Sequence, residues 1–147
     1  MRRVVKGTQG MSACVFCAIA SGDSAAHEVA RTDHTVAFLD NRPVFKGHVL
    51  VIPTEHVVTL PDLPDALLAP FFGEVRRIAG VIPEALGAQG TFVAMNNKVS
   101  QSVAHLHCHV VPRTKGDGLR GFFWPRVRYA DGEQADYAER LRATLAG

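Results

Sequence analysis

The stretch His105-Leu106-His107-Cys108-His109-Val110-Val111-Pro112-Arg113 carries three histidines at alternate positions, separated by apolar or nearly apolar residues. Side chains of a β-strand alternate between its two faces, so a strand here places the three imidazoles in a row on one face. Leu106, Cys108 and Val110 then lie on the other face, where they are predicted to pack. A row of titratable rings destabilises a fold unless the rings have partners or a task. The stretch therefore predicts a strand with one packed face and one chemical face.

Binding of a metal ion is one use for such a row. Neighbours on one face of a strand are about 6.6–6.8 Å apart, which puts the Cα atoms of His105 and His109 on the order of 13 Å apart. This distance is too wide for one tetrahedral ion to bind all three rings, although two of them can share a metal. The pattern thus leaves open a metal-dependent hydrolase that uses two of the imidazoles.

Nucleophilic catalysis is a second use for the row. The ordinary pKa of histidine, about 6.5, leaves the ring mostly neutral at pH 7, and a neutral imidazole that attacks phosphorus forms a covalent phosphoramidate. His107 is the natural nucleophile because it has an imidazole on either side. A protonated neighbour can stabilise phosphate charge or protonate a leaving group. Gln101 and Ser102, in the polar loop before the row, are predicted to bind phosphate oxygens.

Length and composition indicate one globular domain. The chain has 147 residues, of which 47% are hydrophobic and 20% charged, enough to bury a core. We expect a flexible tail at residues 1–12 and a single domain at residues 13–147. A net charge of +2 implies no nucleic-acid partner, and no apolar run approaches the roughly 18 residues of a membrane span. Three cysteines without a disulfide-dense pattern fit a reducing compartment, the cytoplasm, where Cys14-x-x-Cys17 binds metal or does redox chemistry.

Short apolar runs predict three strands besides the histidine stretch. Residues Thr35–Asp40 and His48–Pro53 are rich in β-branched residues and are joined through Pro43 and Gly47, which indicates an antiparallel pair. Their nearly continuous apolar character predicts that both faces of the sheet are covered. Thr91–Asn96 is predicted to be the next strand.

The helices are predicted from spacing and caps. An apolar stripe at three- and four-residue steps predicts a long helix with Asp62 as N-cap and Pro64 at its first position, kinked at Pro70 and ended at Pro83 or Gly87. The stripe consists of Leu63, Leu67, Phe71, Val75, Ile78 and Ile82. Cys14–Gly22 is predicted to be a short helix or turn ended by its glycine. A terminal helix is predicted in the later part of residues 131–146, after an aromatic segment at residues 122–124.

The histidine stretch resembles the signature of the histidine triad (HIT) family of nucleotide hydrolases and transferases. Other segments resemble the family in the same order and spacing, so that the resemblance runs from about Cys14 to Arg113. These segments are Cys14–Cys17, Val36–Asp40, Gly47–Pro53, Glu55-His56 and Gln101–Val103. The resemblance implies a compact α+β domain, with a long helix packed on an antiparallel sheet and a C-terminal helix. It also implies a homodimer that pairs through the long helix and an adjacent strand.

The activity implied by the resemblance is cleavage of a nucleoside 5′-monophosphate from a leaving group through a covalent nucleotidyl-histidine. Dinucleoside polyphosphates and nucleoside phosphoramidates are the expected substrates, with phosphoanhydride or phosphoramidate bonds to be cleaved, and no organic cofactor is expected. His107 is then the nucleophile, and His109 contacts the scissile phosphate. His105 orients the row or serves elsewhere, and Ser102 lies near the α-phosphate. A purine-nucleotide-binding or sensing protein without catalysis is the alternative.

Nucleotide-binding residues follow from the same resemblance, with one departure. Asp40 matches the position that binds ribose hydroxyls, and Gln101 and Ser102 match residues near the phosphate and leaving group. The family commonly has a glycine just before this glutamine, where the chain has Ser100, and the loop is about two residues shorter. The family's asparagine is also missing from its usual position, so the phosphate contact is assigned to Asn96 or Asn97.

A structural zinc site is implied by the resemblance as well. In many bacterial relatives the paired cysteines, the histidine of the Glu-His step and the first triad histidine bind zinc; here these are Cys14, Cys17, His56 and His105. Two thiolates and two imidazoles make a closed tetrahedral site, which is structural and leaves no position open for catalysis. Packed free thiols are the alternative.

Overall fold

A computed structural model of the chain describes residues 13–119 and 126–147. The tail expected at residues 1–12 and the aromatic segment at residues 122–124 lie outside these ranges. The chain divides after Lys115 into two compact units. Whether residues 13–147 behave as one domain in solution stays a prediction.

Five strands of the described chain form one antiparallel sheet, which confirms the α+β class. The sheet order is β1-β2-β3-β5-β4, with β5 between β3 and the edge strand β4. The strands are β1, Glu28–Arg31; β2, Thr35–Leu39; β3, Val49–Pro53; β4, Gly90–Ala94; and β5, Cys108–Arg113. The antiparallel pairing predicted for residues 35–40 and 48–53 is confirmed, since β2 pairs with β3 and Ala37 lies opposite Val51.

The two faces of the sheet are covered by different helices. The helix α1, Val15–Ser21, packs on one face, and the long helix α2, Asp65–Leu86, lies on the other. The alternation of side chains decides which residue meets which helix. In β3, Val49 and Val51 belong to the core under α2, whereas Leu50 and Ile52 belong to the core under α1.

The long helix begins later than the sequence predicts. Asp62 is not its N-cap; the Asp62 carboxylate accepts hydrogen bonds from the Thr59 N–H at 3.1 Å and the Thr59 hydroxyl at 2.6 Å. These bonds close a separate 3₁₀ turn at Leu60–Asp62, so Pro64 becomes the cap residue of α2 rather than its first position. The helix continues through both prolines and ends at Gly87, whose φ of +68° suits glycine.

The strand of the histidine stretch is shorter than predicted. β5 begins at Cys108, so His105 and His107 lie in the connection before it and only His109 is in the strand. The alternation nevertheless extends upstream of the strand. Leu106, Cys108 and Val110 are fully buried in the core under α2, as predicted for the packed face.

The connection between β2 and β3 depends on a glycine. Gly47 has a φ of +96°, and a β-carbon built there would collide with the Leu86 side chain. Any larger residue would therefore strain this backbone and require the Leu86 side chain to move. This turn places His48 immediately before β3.

The second unit contains the predicted C-terminal helix. This helix, α3, spans Glu133–Ala146 and carries an ion pair between Glu139 and Arg142 at 2.9 Å. The Tyr129 and Tyr137 rings lie 5.8 Å apart. Within the described ranges, no helix combines the length and the apolar character that a membrane crossing requires.

Candidate functional site

His107 lies in the wall of a cavity of about 400 Å³, called here the triad cavity. Its side chain is 3% exposed, and its Nδ1 lies 2.7 Å from the backbone oxygen of His105. A carbonyl oxygen only accepts, so Nδ1 carries a proton, and in the neutral ring the lone pair is on Nε2. A neutral imidazole with a free Nε2 is in the state required of a nucleophile.

A chain of hydrogen bonds determines which ring nitrogen of His109 carries the proton. The Val44 N–H donates to Nδ1 of His48 at 3.1 Å, so the proton of His48 is on Nε2. This Nε2–H donates to Nδ1 of His109 at 2.9 Å, which leaves the proton of His109 on its own Nε2. The His107 and His109 ring centroids are 5.0 Å apart. A nitrogen lone pair and an N–H donor are thus available on neighbouring rings.

Burial keeps the flanking imidazole neutral. Burial, and after it the neighbouring His107 and His48, lower the pKa of His109 to about 4, although Asp40 acts in the opposite direction. Burial also lowers the pKa of His48, against the pull of Asp40. In the free protein at pH 7, His109 is therefore a neutral hydrogen-bond donor. The sequence suggested a protonated neighbour instead, because the pattern alone does not show that the His109 ring is buried away from water.

The rest of the triad cavity is apolar with a few polar groups. Asp40 and Ser102 line it together with His107 and His109, so the structure brings four of the expected site residues around one space. The Asp40 carboxylate accepts the Arg42 backbone N–H at 2.8 Å, and its second oxygen lies 3.8 Å from Nε2 of His48. The other lining residues are Val15, Phe16, Ile19, Ala25, Ala26, Phe38, Leu39, Asn41, Arg42, Leu50 and Val103.

Two of the expected nucleotide-binding residues are used differently in the structure. Gln101 donates from Nε2 to the Val58 oxygen at 2.6 Å and accepts the Lys98 N–H at 2.9 Å. Asn96 donates from Nδ2 to the Ser100 oxygen at 3.2 Å. Neither residue is among those that line the triad cavity. Both side chains instead brace the loop that presents Ser102.

The loop before Ser102 has an unusual backbone conformation at the position where its sequence differs from the family pattern. Ser100, which stands where a glycine is common, has a φ of +61°, and Lys98 has a φ of +69°. These left-handed conformations disfavour residues with a β-carbon by about 1–2 kcal/mol. Ser100 therefore has a backbone conformation typical of glycine, which the hydrogen bonds of Asn96 and Gln101 stabilise.

Four potential metal ligands converge on the α1 side of the sheet and are called here the Cys/His cluster. They are the four residues expected from the sequence, namely Cys14, Cys17, His56 and His105. Nδ1 of His105 lies 3.4 Å from the Cys14 sulfur and 3.5 Å from the Cys17 sulfur, and Nδ1 of His56 lies 3.1 Å from the Cys17 sulfur. A tetrahedral zinc ion needs sulfur and nitrogen ligand atoms roughly 3.5 Å apart. The cluster fits such an ion.

The protonation state of His105 suits a metal ligand, whereas the Cys17 thiol would have to lose its proton to bind a metal. Nε2 of His105 donates to the Pro53 oxygen at 2.8 Å, which leaves the Nδ1 lone pair facing the thiols. Burial, with His56 and His107 adding to it, lowers the pKa of His105 to about 4, against the effect of the Pro53 carbonyl. Burial first, and then the Cys14 thiol, raise the pKa of Cys17 to about 11. All three cysteines are free thiols.

A second group of possible ligands is already joined by a hydrogen bond. The ligand atoms of Asp40, His48 and His109 lie within 4.8 Å of one another. The two nitrogens that face each other are 2.9 Å apart, which is the ordinary distance of a hydrogen bond. The hydrogen bond between the rings accounts for this arrangement.

Two residues of the site have contacts that the sequence did not predict. His48 was expected to be either structural or adjacent to the nucleotide, and its hydrogen bond to His109, 61 positions away, has no local signal. Phe16 lies inside the Cys14-x-x-Cys17 step, in which only the two thiols predict a site. Its ring lies edge-on to that of His107, with centroids 5.1 Å apart.

Comparison with known proteins gives consistent matches. The family model described as HIT domain matches residues 21–116. The adenosine 5′-monophosphoramidase hnt1 of Schizosaccharomyces pombe is 35% identical over 90% of this chain and 98% of its own. A crystal structure of a HIT family member from Bacillus subtilis has a TM-score of 0.82 and 35% identity, covering 92% of this chain and 99% of its own. A zinc-bound histidine triad family protein from Mycobacterium smegmatis has a TM-score of 0.70 and 38% identity, covering 92% and 95%.

Proposed function

The chain belongs to the histidine triad (HIT) family, and on that premise we propose that it is a nucleotide hydrolase or transferase. The substrates are nucleoside 5′-monophosphate derivatives, either dinucleoside polyphosphates or nucleoside phosphoramidates with a purine base. The fission yeast relative is named an adenosine 5′-monophosphoramidase, and an Arabidopsis thaliana relative, 33% identical over 72% of this chain and 55% of its own, is named an adenylylsulfatase. Both names denote cleavage of a bond at a nucleotide phosphate.

The observation that carries the proposal is the tautomer of His107. Its Nδ1–H is used by the His105 carbonyl, so the reactive Nε2 is the nitrogen left for substrate at the triad cavity. Nε2 attacks the α-phosphorus, and a nitrogen–phosphorus bond forms as the bond to the leaving group breaks. The leaving group takes its proton from solvent. Attack by water on the covalent intermediate then releases the nucleoside monophosphate and restores the free imidazole.

The neighbouring groups have supporting parts in the proposed reaction. His109 offers its Nε2–H to the phosphate oxygens, where a donor stabilises the charge that develops in the transition state. The Asp40 carboxylate accepts hydrogen bonds from ribose hydroxyls, and Ser102 offers a hydroxyl near the phosphate. Gln101 and Asn96 are proposed to act on the nucleotide through the loop that they brace.

The covalent step can be tested by mass spectrometry. Purified protein is mixed with adenosine phosphoramidate or a diadenosine polyphosphate, quenched, and examined for an adenylyl adduct. The adduct and turnover are expected in wild type and in His34→Asn, which changes an exposed imidazole. Both should vanish in His107→Asn.

A sensing protein would behave differently in the same experiment. It would bind nucleotide tightly in wild type and in His107→Asn, with neither turnover nor adduct in either. That result would replace the enzyme by the non-catalytic alternative.

We also propose a structural zinc ion in the Cys/His cluster. The ligand spacing and the His105 tautomer support it, and a related protein from Mycobacterium smegmatis is described as zinc-bound. Elemental analysis should find about one zinc per chain. His105→Ala should lower both melting temperature and rate, whereas His107→Ala should lower the rate alone. Retained rate and melting temperature after chelation would argue for packed thiols instead.

The homodimer remains a proposal, supported by apolar surface on the elements expected to pair. Leu68 and Phe72 on α2 are 42% and 39% exposed, and Val93 on the edge strand β4 is 43% exposed. Sedimentation should give a dimer for wild type and a monomer for Phe72→Glu. A cytoplasmic location is proposed as well, because the Cys/His cluster needs reduced thiols.

A further inference from the structure

Phe16 lies between the Cys/His cluster and the nucleophile. Its ring centroid is 5.1 Å from that of His107 and 6.0 Å from that of His105, both in edge-on geometry. The side chain is 7% exposed and also lines the triad cavity. One residue therefore contacts a ligand of the cluster, the proposed nucleophile and the space proposed for the nucleotide.

His105 makes a second connection between the same two places. Its Nδ1 faces the thiols of the cluster, while its backbone oxygen accepts the Nδ1–H of His107 at 2.7 Å. A shift of His105 would therefore change both the ligand set and the hydrogen bond that sets the tautomer of His107. Because the cluster and the nucleophile share contacts, we expect the free energy of metal binding at the cluster to be linked to that of nucleotide binding at the triad cavity.

The helix that carries Phe16 depends on outside support. α1 has seven residues, too few to be stable by itself. At its C-terminal end the Arg31 guanidinium donates to the Ala20 oxygen at 2.8 Å. At its N-terminal end the support comes from the Cys14-x-x-Cys17 turn, where uncharged thiols form only weak hydrogen bonds. Metal binding at the cluster would fix this end.

We propose that Phe16 is a positioning residue that couples the Cys/His cluster to the triad cavity. A zinc ion in the cluster fixes the turn around Phe16, whose ring packs against His107, keeps it hydrogen-bonded to the His105 carbonyl and completes the wall of the cavity. Zinc and nucleotide then each raise the affinity for the other, as linkage requires. The inference rests on the proposed function, because the cavity is taken to bind a nucleotide.

Calorimetry of AMP binding to the zinc-loaded and zinc-free full chain tests the coupling. Wild type should bind AMP about tenfold more weakly without zinc, within the usual range of coupling between sites. In Phe16→Leu the ratio of the two affinities should fall to about one. Val15→Ala is the matched control, since Val15 lines the same cavity from the same helix and is 49% exposed. It should weaken binding in both states and leave the ratio unchanged.

Further measurements separate coupling from a loss of folding. Circular dichroism shows whether the zinc-free chain stays folded, which the AMP comparison requires, because AMP bound only by the folded chain would raise the apparent zinc affinity without any part for Phe16. If the zinc-free chain unfolds, the spectra of the zinc-loaded protein decide. Imidazole ¹⁵N spectra of zinc-loaded protein should show His107 as the single Nδ1–H tautomer, and a mixture in Phe16→Leu. A purely structural Phe16 would lower the melting temperature and leave this tautomer intact.

Several results would overturn the coupling. They are an AMP affinity ratio of one in wild type, the full ratio in Phe16→Leu, or a chain that binds no zinc. If wild type binds no AMP in either state, the proposed function fails, and the spectra decide the coupling alone. Unchanged His107 signals on removal of zinc then overturn it.

Discussion

Replacing His109 by glutamine should make the stability of the protein less sensitive to acid. Burial holds the pKa of His109 at about 4 in the folded protein, whereas an unfolded histidine titrates near 6.5. Between these values the unfolded chain binds the proton and the folded chain does not. The free energy of unfolding is therefore highest above pH 6.5 and falls as the pH drops through 6.5 towards 4.

The size of the effect follows from the two pKa values. Their difference corresponds to about 3 kcal/mol for a fully buried ring. Because His109 is partly exposed, solvent screening reduces this figure to about 1–2 kcal/mol. Three titratable groups face the ring, namely His107, His48 and Asp40, and the first two act in the same direction as burial.

Urea denaturation of zinc-loaded wild type and His109→Gln between pH 7 and 5 measures the effect. Glutamine can still accept the Nε2–H of His48 but does not titrate, so the loss of stability on acidification should be smaller by about 1 kcal/mol. His34→Gln, a change at an exposed ring, should follow wild type. Parallel profiles for wild type and His109→Gln would refute the reasoning that burial controls this imidazole.

Three other predictions concern the hydrogen bond between His48 and His109, the core under α2 and the positive φ of Ser100. His48→Leu removes the donor to His109 and the acceptor of the Val44 N–H, which should lower stability by about 1–3 kcal/mol for each group left unpaired. Because the proton of His109 is then no longer fixed on Nε2, turnover of adenosine phosphoramidate should fall about tenfold or more; unchanged kcat would exclude a part in catalysis. Phe71→Ala, in the core under α2, should lower the free energy of unfolding by about 3–5 kcal/mol in urea, whereas Glu84→Ala, at an exposed position near the end of α2, should change it little. Ser100→Gly should raise the melting temperature, with a gain of about 1 kcal/mol from relief of its positive φ, while Ala104→Gly, at a position without positive φ, should lower it. Equal shifts in the last two variants would contradict the strain.

The sequence predicts well those features that depend on short spacing. The period of two explains why Val49 and Val51 face one helix and Leu50 and Ile52 the other. The resemblance to the HIT family, rather than the period, predicted the α+β fold class and the grouping of the four residues of the Cys/His cluster. Helix boundaries were less accurate, because Asp62 has the properties of an N-cap but caps a 3₁₀ turn instead.

Side-chain partners far along the chain could not be predicted in this way. Gln101 and Asn96 have the donors that suit a phosphate, yet in the structure they bond to the backbone of Val58 and Ser100. A polar side chain bonds to whichever group the fold brings near, and local sequence does not specify that group.

By itself the sequence determined that three histidines alternate with packing residues, because strand periodicity is a local property of the backbone. Only the tertiary structure decided how the three differ. His105 is 91 positions from Cys14 and yet lies 3.4 Å from its sulfur, His107 has its proton held by a carbonyl, and His109 is kept neutral by burial beside His48. Tautomer and pKa depend on distances between distant segments and on the exclusion of water, and these exist only once the chain has folded.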